Sequence, residues 1–292
     1  MANDTATDRE PDVGGFVYPV RLLGARFAGM ARASAITQAP PQVRRIGLAD
    51  LREALRLGWR DFAAHRTDVM VLCVLYPVLG LVLSRVAENE VMAIVFPLAA
   101  GFALLGPLAG TGLYEISLRI EQGEQPSWGT AFTVLLARGF PAIVMLGVLF
   151  AALFVIWVQV ALGIYEHSFG AAPPASADAF LRELFTTAAG WRMIVVGNLV
   201  GLAFAVVAFS VGVVSFPMLI DGRFGRSAGE MLSLAIGTSL AAVRASPITM
   251  AAWGLIVAAM LLVGSVPFFL GLVVVMPVLG HATWHLYRRV VA

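Results

Sequence analysis

Lysine is absent from this chain of 292 residues, and its 20 basic residues are all arginines. Without lysine the chain cannot carry a phosphate-binding loop of the Gly-x-x-x-x-Gly-Lys type. Cysteine is almost absent as well, because Cys73 is the only one. A single cysteine excludes an internal disulfide and a metal cluster built on cysteines.

Charged residues are also scarce, at 13%, whereas 59% of the chain is hydrophobic and the mean hydropathy is +0.85. A soluble domain has about 25% charged and about 45–50% apolar residues. One soluble core of this size cannot bury so much apolar side chain. The composition therefore predicts an all-α, polytopic membrane protein and argues against a soluble enzyme.

Uncharged runs predict six transmembrane helices, because a bilayer core about 30 Å thick needs about 20 apolar helical residues. The run between Arg244 and Arg288 is long enough for two passes. Residues 1–45 are expected to form a mobile cytoplasmic tail, and residues 46–290 the membrane domain. The spans are expected near residues 68–86, 91–114, 140–163, 192–217, 247–264 and 267–287.

The distribution of arginines predicts the orientation. Six spans place both termini on one side, and that side carries 17 of the 20 arginines. Because loops rich in arginine stay in the cytoplasm, we expect both termini there, in a bacterial inner (plasma) membrane. Since topology explains the arginine excess, the expected partner is the lipid bilayer and not a nucleic acid.

A unit of one amphipathic surface helix and two spans is predicted three times. The three units cover about residues 46–120, 126–224 and 229–290. The second span of each pair has a proline near its inner end, at Pro107, Pro217 and Pro277. The predicted fold is a six-helix bundle with three surface helices on its cytoplasmic rim, their apolar faces in the headgroup boundary and their arginines among anionic headgroups.

The chain ending, Pro277 to Arg289, resembles the bacterial membrane family called domain of unknown function 2189. The segments Leu51 to Asp61 and Phe216 to Asp221 resemble it too, and the similarity covers about residues 44–290. The resemblance implies an integral membrane protein and no particular activity. Some members carry an automatic label of cytochrome c oxidase subunit I, but that oxidase needs more histidines, on several spans, than the four found here.

His281 and His285 lie four residues apart, on one face of the last predicted span. Two histidines at this spacing are able to ligate one metal ion or to face a haem. No third ligand follows in the chain, and neutral imidazoles also hydrogen-bond between helices. The sequence favours structural hydrogen bonding without a cofactor, and leaves a proton-linked role and a metal or haem site as alternatives.

Three further polar residues are candidates for buried pairs. Glu115 is the repeat partner of His285, so we expect it either to pair with His285 or Arg288 or to face water at the interface. Gln159 and Asn198 are the deepest polar residues of the third and fourth spans. They are expected to hydrogen-bond to each other or to line a substrate path.

Three functions remain open from the sequence. The favoured one is a non-enzymatic scaffold, assembly or accessory protein, whose partner is another membrane protein or a second copy. The second is a transporter or channel for a small solute or lipid, suggested by the repeats and the prolines. The third is a haem- or metal-binding protein that uses His281 and His285. No catalytic residues are expected, because too few charged residues lie outside the tail for a soluble catalytic domain.

Overall fold

The computed structural model describes residues 41–73, 110–170, 176–266 and 270–292. These ranges contain nine α-helices, one 3₁₀ helix and no strand. The 3₁₀ helix is Trp128–Leu136, between the second and third α-helices. The α-helices are α1 (Leu48–Cys73), α2 (Thr111–Glu121), α3 (Phe140–Phe169), α4 (Ala177–Thr186), α5 (Ala188–Gly212), α6 (Ser215–Asp221), α7 (Ala228–Ala245), α8 (Pro247–Ser265) and α9 (Leu272–Val290).

Three of the described helical segments are long and apolar enough to cross a membrane. They are α3, the continuous stretch Ala188–Asp221 formed by α5 and α6, and α8. These coincide with the third, fourth and fifth predicted spans. The first two predicted spans lie outside the described residues except for their ends. Helix α9 corresponds to the sixth, but its second half carries two histidines and two arginines, and α9 is not one of these three.

The buried core lies toward the end of the bundle where α3 begins. Leu146 and Phe150 of α3 are almost fully buried there, and the Phe150 ring meets Phe216 of α6 edge to face with 5.2 Å between centroids. Trp253 of α8 completes this region. Farther along the same helices, large apolar side chains such as Val155 and Leu199 are exposed. Val148, near the start of α3, is exposed as well, so the span helices bury one side and leave apolar side chains open along their length.

The boundary between α5 and α6 is a break with a definite cause. Pro217 has no N–H to donate and disfavours the helical turn before it. The Ser239 hydroxyl of α7 accepts from Val214 N–H at 3.2 Å and donates to the Ser210 carbonyl at 2.7 Å. These two backbone groups are four residues apart and would bond to each other in a regular helix. The Ser239 hydroxyl therefore replaces one backbone hydrogen bond of the helix with two bonds of its own.

Helix α1 is amphipathic as predicted, but its apolar face does not lie free for the lipid. Leu51, Ala54 and Phe62 are buried, and the helix packs against α9. A side chain at Gly58 would come within 2.6 Å of the Ala282 backbone nitrogen, so the two backbones nearly touch. The predicted surface helix is thus covered by protein on this face, because glycine and alanine let α9 approach.

An extended segment, residues 42–46, joins the two ends of the described chain. Arg44 N–H donates to the Val290 carbonyl at 2.8 Å, and Ala292 N–H donates to the Gln42 carbonyl at 3.1 Å. Ile46 is held through both backbone groups, by Ser246 and Thr249 at the start of α8. Residues 42–45 therefore belong with the helical domain, while the remainder of the predicted tail, residues 1–40, lies outside the described residues.

The second predicted surface helix is a 3₁₀ helix with exposed apolar side chains. Ser127 and Thr130 form a reciprocal capping box at its start. It packs against α2, where Gly112 lies close to Ala131. Four large side chains remain exposed on it, namely Trp128, Phe132, Leu135 and Leu136. This surface is typical of an element at a membrane interface.

Candidate functional site: the polar network of the C-terminal helix

The second half of α9 bonds to acidic residues from three other parts of the chain. Trp284 donates from its ring N–H to Glu121 of α2 at 3.0 Å. Arg288 donates to the other Glu121 oxygen at 2.6 Å and also reaches Asp221 at 3.2 Å. The Tyr287 hydroxyl donates to Asp221 at 2.5 Å. We call these residues, with the two pairs to α1 described next, the C-terminal polar network.

Two further residues of α9 bind the acidic side chains of α1. His285 donates from Nε2 to Asp61 at 2.6 Å, because a carboxylate only accepts. Arg289 donates to Asp50 at 2.8 Å. All these α9 side chains lie within six positions, so one helix end fastens α1, α2 and α6 together. Such charge-assisted bonds are the strong class of protein hydrogen bonds.

Asp221 is the most enclosed acid of the network. Its side chain is 5% exposed and accepts bonds from Tyr287, Arg288 and Arg223. A buried carboxylate is costly unless it is paired and hydrogen-bonded, and here two guanidinium groups and a hydroxyl supply the pairing. Asp221 therefore links α6 to α9 at a position shielded from solvent.

His281 is completely buried and faces α2. Its Nδ1 lies 2.7 Å from the Ser117 hydroxyl, which also donates to the Leu113 carbonyl. Its Nε2 has no hydrogen-bond partner within the described residues. Gly280 lies against Leu113, and this close approach of α9 to α2 is what encloses the ring.

In the structure the two histidines are bonded toward different helices. His281 is bonded toward Ser117 of α2, whereas His285 is bonded toward Asp61 of α1, so their bonded nitrogens serve different neighbours. Within the described ranges, no three His, Cys, Asp or Glu side chains converge as a metal site requires. Both rings act here as links between helices.

Glu115 is placed differently from either sequence expectation. Its side chain is 1% exposed, so it does not face water. It pairs with Arg119 one turn later at 2.8 Å and accepts from the Thr133 hydroxyl at 2.9 Å. Neither His285 nor Arg288 bonds to it, because Asp61 and Glu121 occupy those partners. Glu115 thereby ties α2 to the 3₁₀ helix.

Gln159 and Asn198 do not bond to each other in the structure. Asn198 donates to the Ile194 carbonyl of its own helix at 2.7 Å. Both side chains lie on faces that are exposed within the described part of the chain. The amide of Asn198 is thus satisfied locally, and the pair does not form the predicted link between α3 and α5.

Arg138 organises the loop that follows α6. It donates to the carbonyls of Gly222 and Gly225 at 3.2 and 2.5 Å. Both glycines have positive φ, +66° and +79°, a region that other residues seldom adopt. Arg138 therefore joins the start of α3 to this loop through backbone oxygens and not through a carboxylate.

A Gly-x-Ser-x-Gly pattern, residues 225–229, lies in the same region and has the spacing of a hydrolase nucleophile turn. That turn needs a preceding strand and a histidine base. Here Ser227 instead caps α7 by accepting from Glu230 N–H at 3.3 Å, and the described residues place no histidine on it. The serine functions as a helix cap.

Sequence reasoning missed the acidic half of the network. The sequence pattern indicates His285 as a candidate, but it does not indicate the acids of the network, Asp50, Asp61, Glu121 and Asp221. A signal was available, because Asp61 and Asp221 belong to the segments that carry the family resemblance. What the sequence did not reveal is which basic residue each acid meets, since the pairs are separated by 66 to 239 positions.

Comparison with known proteins gives one match. No curated protein and no solved structure matches the chain. The one match is to a protein-family model, over a stretch that includes Phe216 to Asp221 but stops before the histidine-containing ending. Residues 95–221 match the family described as "Predicted integral membrane protein (DUF2189)", so the resemblance is confirmed over that stretch and the chain is an integral membrane protein with apolar helices.

Proposed function

We propose that this chain is a six-span protein of a bacterial inner membrane that serves as a non-enzymatic scaffold or assembly factor, binding another membrane protein or a second copy of itself. Its two ends face the cytoplasm. Support for this orientation comes from the contact between residues 42–46 and 290–292. The contact brings the two ends of the described chain together, and the arginine count favours the cytoplasm for the side on which they lie.

The threefold repeat is part of this proposal. The third unit is the order α7, α8, α9, and the second is the 3₁₀ helix, α3 and then α5 with α6. In both, one element predicted as a surface helix precedes two long helical segments, and the second segment carries an internal proline, Pro217 or Pro277. The spans of the first unit, expected near residues 68–86 and 91–114, lie outside the described ranges except for their ends.

The observation that carries the scaffold role is the contrast between the C-terminal polar network and the span helices. In the network the polar side chains are bonded to each other. Elsewhere only 22% to 33% of the three span windows is buried, and exposed side chains such as Val155, Leu199 and Leu262 form apolar faces. A rigid end with open apolar faces suits a protein that holds other membrane helices.

Photocrosslinking in cells tests this function. A photoreactive residue at Val155, Leu199 or Leu262 is expected to give a discrete product with a second protein chain. The control is the same residue at Leu146, which is fully buried and has no access to another chain. Crosslinks to lipid alone at all three positions, together with a monomer that purifies without a partner, would contradict the scaffold role.

Absorbance and metal analysis of the purified protein test the haem or metal alternative. Because His281 and His285 are bonded to different helices, we expect a blank spectrum and no stoichiometric metal. A solute-uptake assay in proteoliposomes tests the transport alternative, for which we expect no saturable uptake. A positive result in either assay would replace the scaffold proposal.

A further inference from the structure

Three arginines lie within a few residues of the junction where residues 42–46 meet the start of α8. Arg44 and Arg45 belong to the extended segment, and Arg244 lies in the last turn of α7, two residues before Ser246. The Ile46 N–H donates to the Ser246 hydroxyl at 3.0 Å, and the Thr249 hydroxyl donates to the Ile46 carbonyl at 3.1 Å. These two bonds fix the segment beside the helix start.

All three arginines are exposed and unpaired within the described residues, unlike the arginines of the polar network. The next acids in the sequence after Arg44 and Arg45 are already engaged. Asp50 accepts from Gly47 N–H and Arg289, and Glu53 pairs with Arg56. The junction therefore has a local excess of positive charge that the protein itself does not neutralise.

The start of α8 sets the depth of this junction. Helix α8 is one of the apolar segments able to cross a membrane, and it begins at Pro247. The next residue, Ile248, is 81% exposed and belongs among lipid chains. Ser246 and the three arginines consequently lie at the level of the headgroups.

We propose that Arg44, Arg45 and Arg244 form a binding site for the phosphate of an anionic phospholipid. The planar guanidinium presents a fork of N–H donors that matches phosphate oxygens, and it remains charged at any physiological pH. This inference rests on the proposed membrane placement of α8, but not on the scaffold role. A specific lipid held here would contact both the extended segment and the α7–α8 junction.

The test uses full-length protein in mixed micelles with equal phosphatidylcholine and phosphatidylglycerol, and native mass spectrometry counts the lipids retained. In the double variant R45Q/R244Q, retention of phosphatidylglycerol is expected to weaken by about 100-fold, since each lost charge-assisted hydrogen bond to the phosphate is worth about tenfold. The matched control is R52Q/R60Q, which removes the same charge from exposed arginines of α1 that also lack a described acidic partner.

An equal loss in both double variants would show diffuse attraction and overturn the site. Saturable binding of soluble glycerol phosphate with the same affinity would overturn the lipid assignment in favour of a free phosphate. Because the assay measures bound lipid and not protein partners, failure here leaves the crosslinking result unaffected, and failure of the crosslinking leaves this site unaffected.

Discussion

The hydroxyl of Ser239 takes the place of a backbone hydrogen bond in the break between α5 and α6. The residue is completely buried, and both of its contacts are to backbone groups. Ser239→Ala should lower the free energy of unfolding by about 1–3 kcal/mol, because it leaves a buried N–H and carbonyl without their partner. Thermal unfolding in detergent measures the change.

Ser233→Ala is the matched control for that substitution. Ser233 lies on the same helix, is exposed, and donates only to the Glu230 carbonyl one turn earlier. Its replacement should leave stability nearly unchanged. Equal melting temperatures for the two variants would show that the inserted hydroxyl is not needed at the break.

Asp221 is the residue whose loss should damage the C-terminal polar network most. Asp221→Ala removes the common acceptor of Tyr287, Arg288 and Arg223. We expect a loss of about 3–5 kcal/mol, as for other buried pairs from which one partner is removed. Glu124→Ala is the control, since its side chain is 49% exposed and its distance to Arg119 is 3.4 Å. A loss no larger than in the control would contradict the role of Asp221.

Asp50 makes the stability that the network contributes depend on pH. Its pKa lies below the usual value of 3.8, chiefly because Gly47 N–H donates to the carboxylate. Partial burial acts in the opposite direction, and the bond from Arg289 lowers the pKa further. The folded state thus favours the ionised carboxylate, whose contribution is complete well above the usual carboxyl pKa and is lost as the pH falls through the lowered pKa.

Asp50→Asn should therefore melt below the unsubstituted protein at neutral pH, and the difference in melting temperature should shrink as the pH falls below the usual carboxyl pKa and through the lowered pKa of Asp50. The measurement is thermal unfolding over a pH series. Asp178→Asn serves for comparison, because Asp178 and its partner Arg182 both have exposed side chains. A difference for Asp50→Asn that stays constant across the series would exclude the carboxylate as its source.

At the scale of elements, the contact between α1 and α9 depends on the absence of a side chain at Gly58. Gly58→Ala would improve the intrinsic helix propensity of α1, yet its Cβ would lie 2.7 Å from the Ala282 Cβ and the Val278 carbonyl. We expect overpacking to prevail, with a net loss of about 1–3 kcal/mol in unfolding experiments.

Gly237→Ala isolates the propensity effect. Nothing lies within 4 Å of a Cβ at this position, so this change in α7 should be neutral or slightly stabilising. If Gly58→Ala behaved in the same way, the close approach of α1 to α9 would not contribute to stability.

At the scale of the whole molecule, the prediction concerns sidedness. In a Cys73→Ala background, a cysteine at Glu124 should react with an impermeant reagent only after the cells are opened, whereas one at Asp178 should react in intact cells. Glu124 lies between α2 and the 3₁₀ helix and Asp178 in α4, which follows the far end of α3. The reverse labelling pattern, or equal labelling at both positions, would contradict the proposed orientation.

The amino-acid sequence alone determined that this is a membrane protein and where its apolar helices lie along the chain. Hydropathy and arginine placement are local properties, so helices near 140–163, 192–217 and 247–264 followed from composition and run length. The bond partners of Glu115, His281, His285 and Asn198 did not follow. Each depends on which distant backbone approaches closely enough, and this is decided by contacts such as Gly58 with Ala282 and Gly280 with Leu113. Only the tertiary structure showed that the second half of α9 bonds to the acids of α1, α2 and α6. A carboxylate is able to accept from any nearby donor, so its partner is decided by which side chains the packing of the helices brings close.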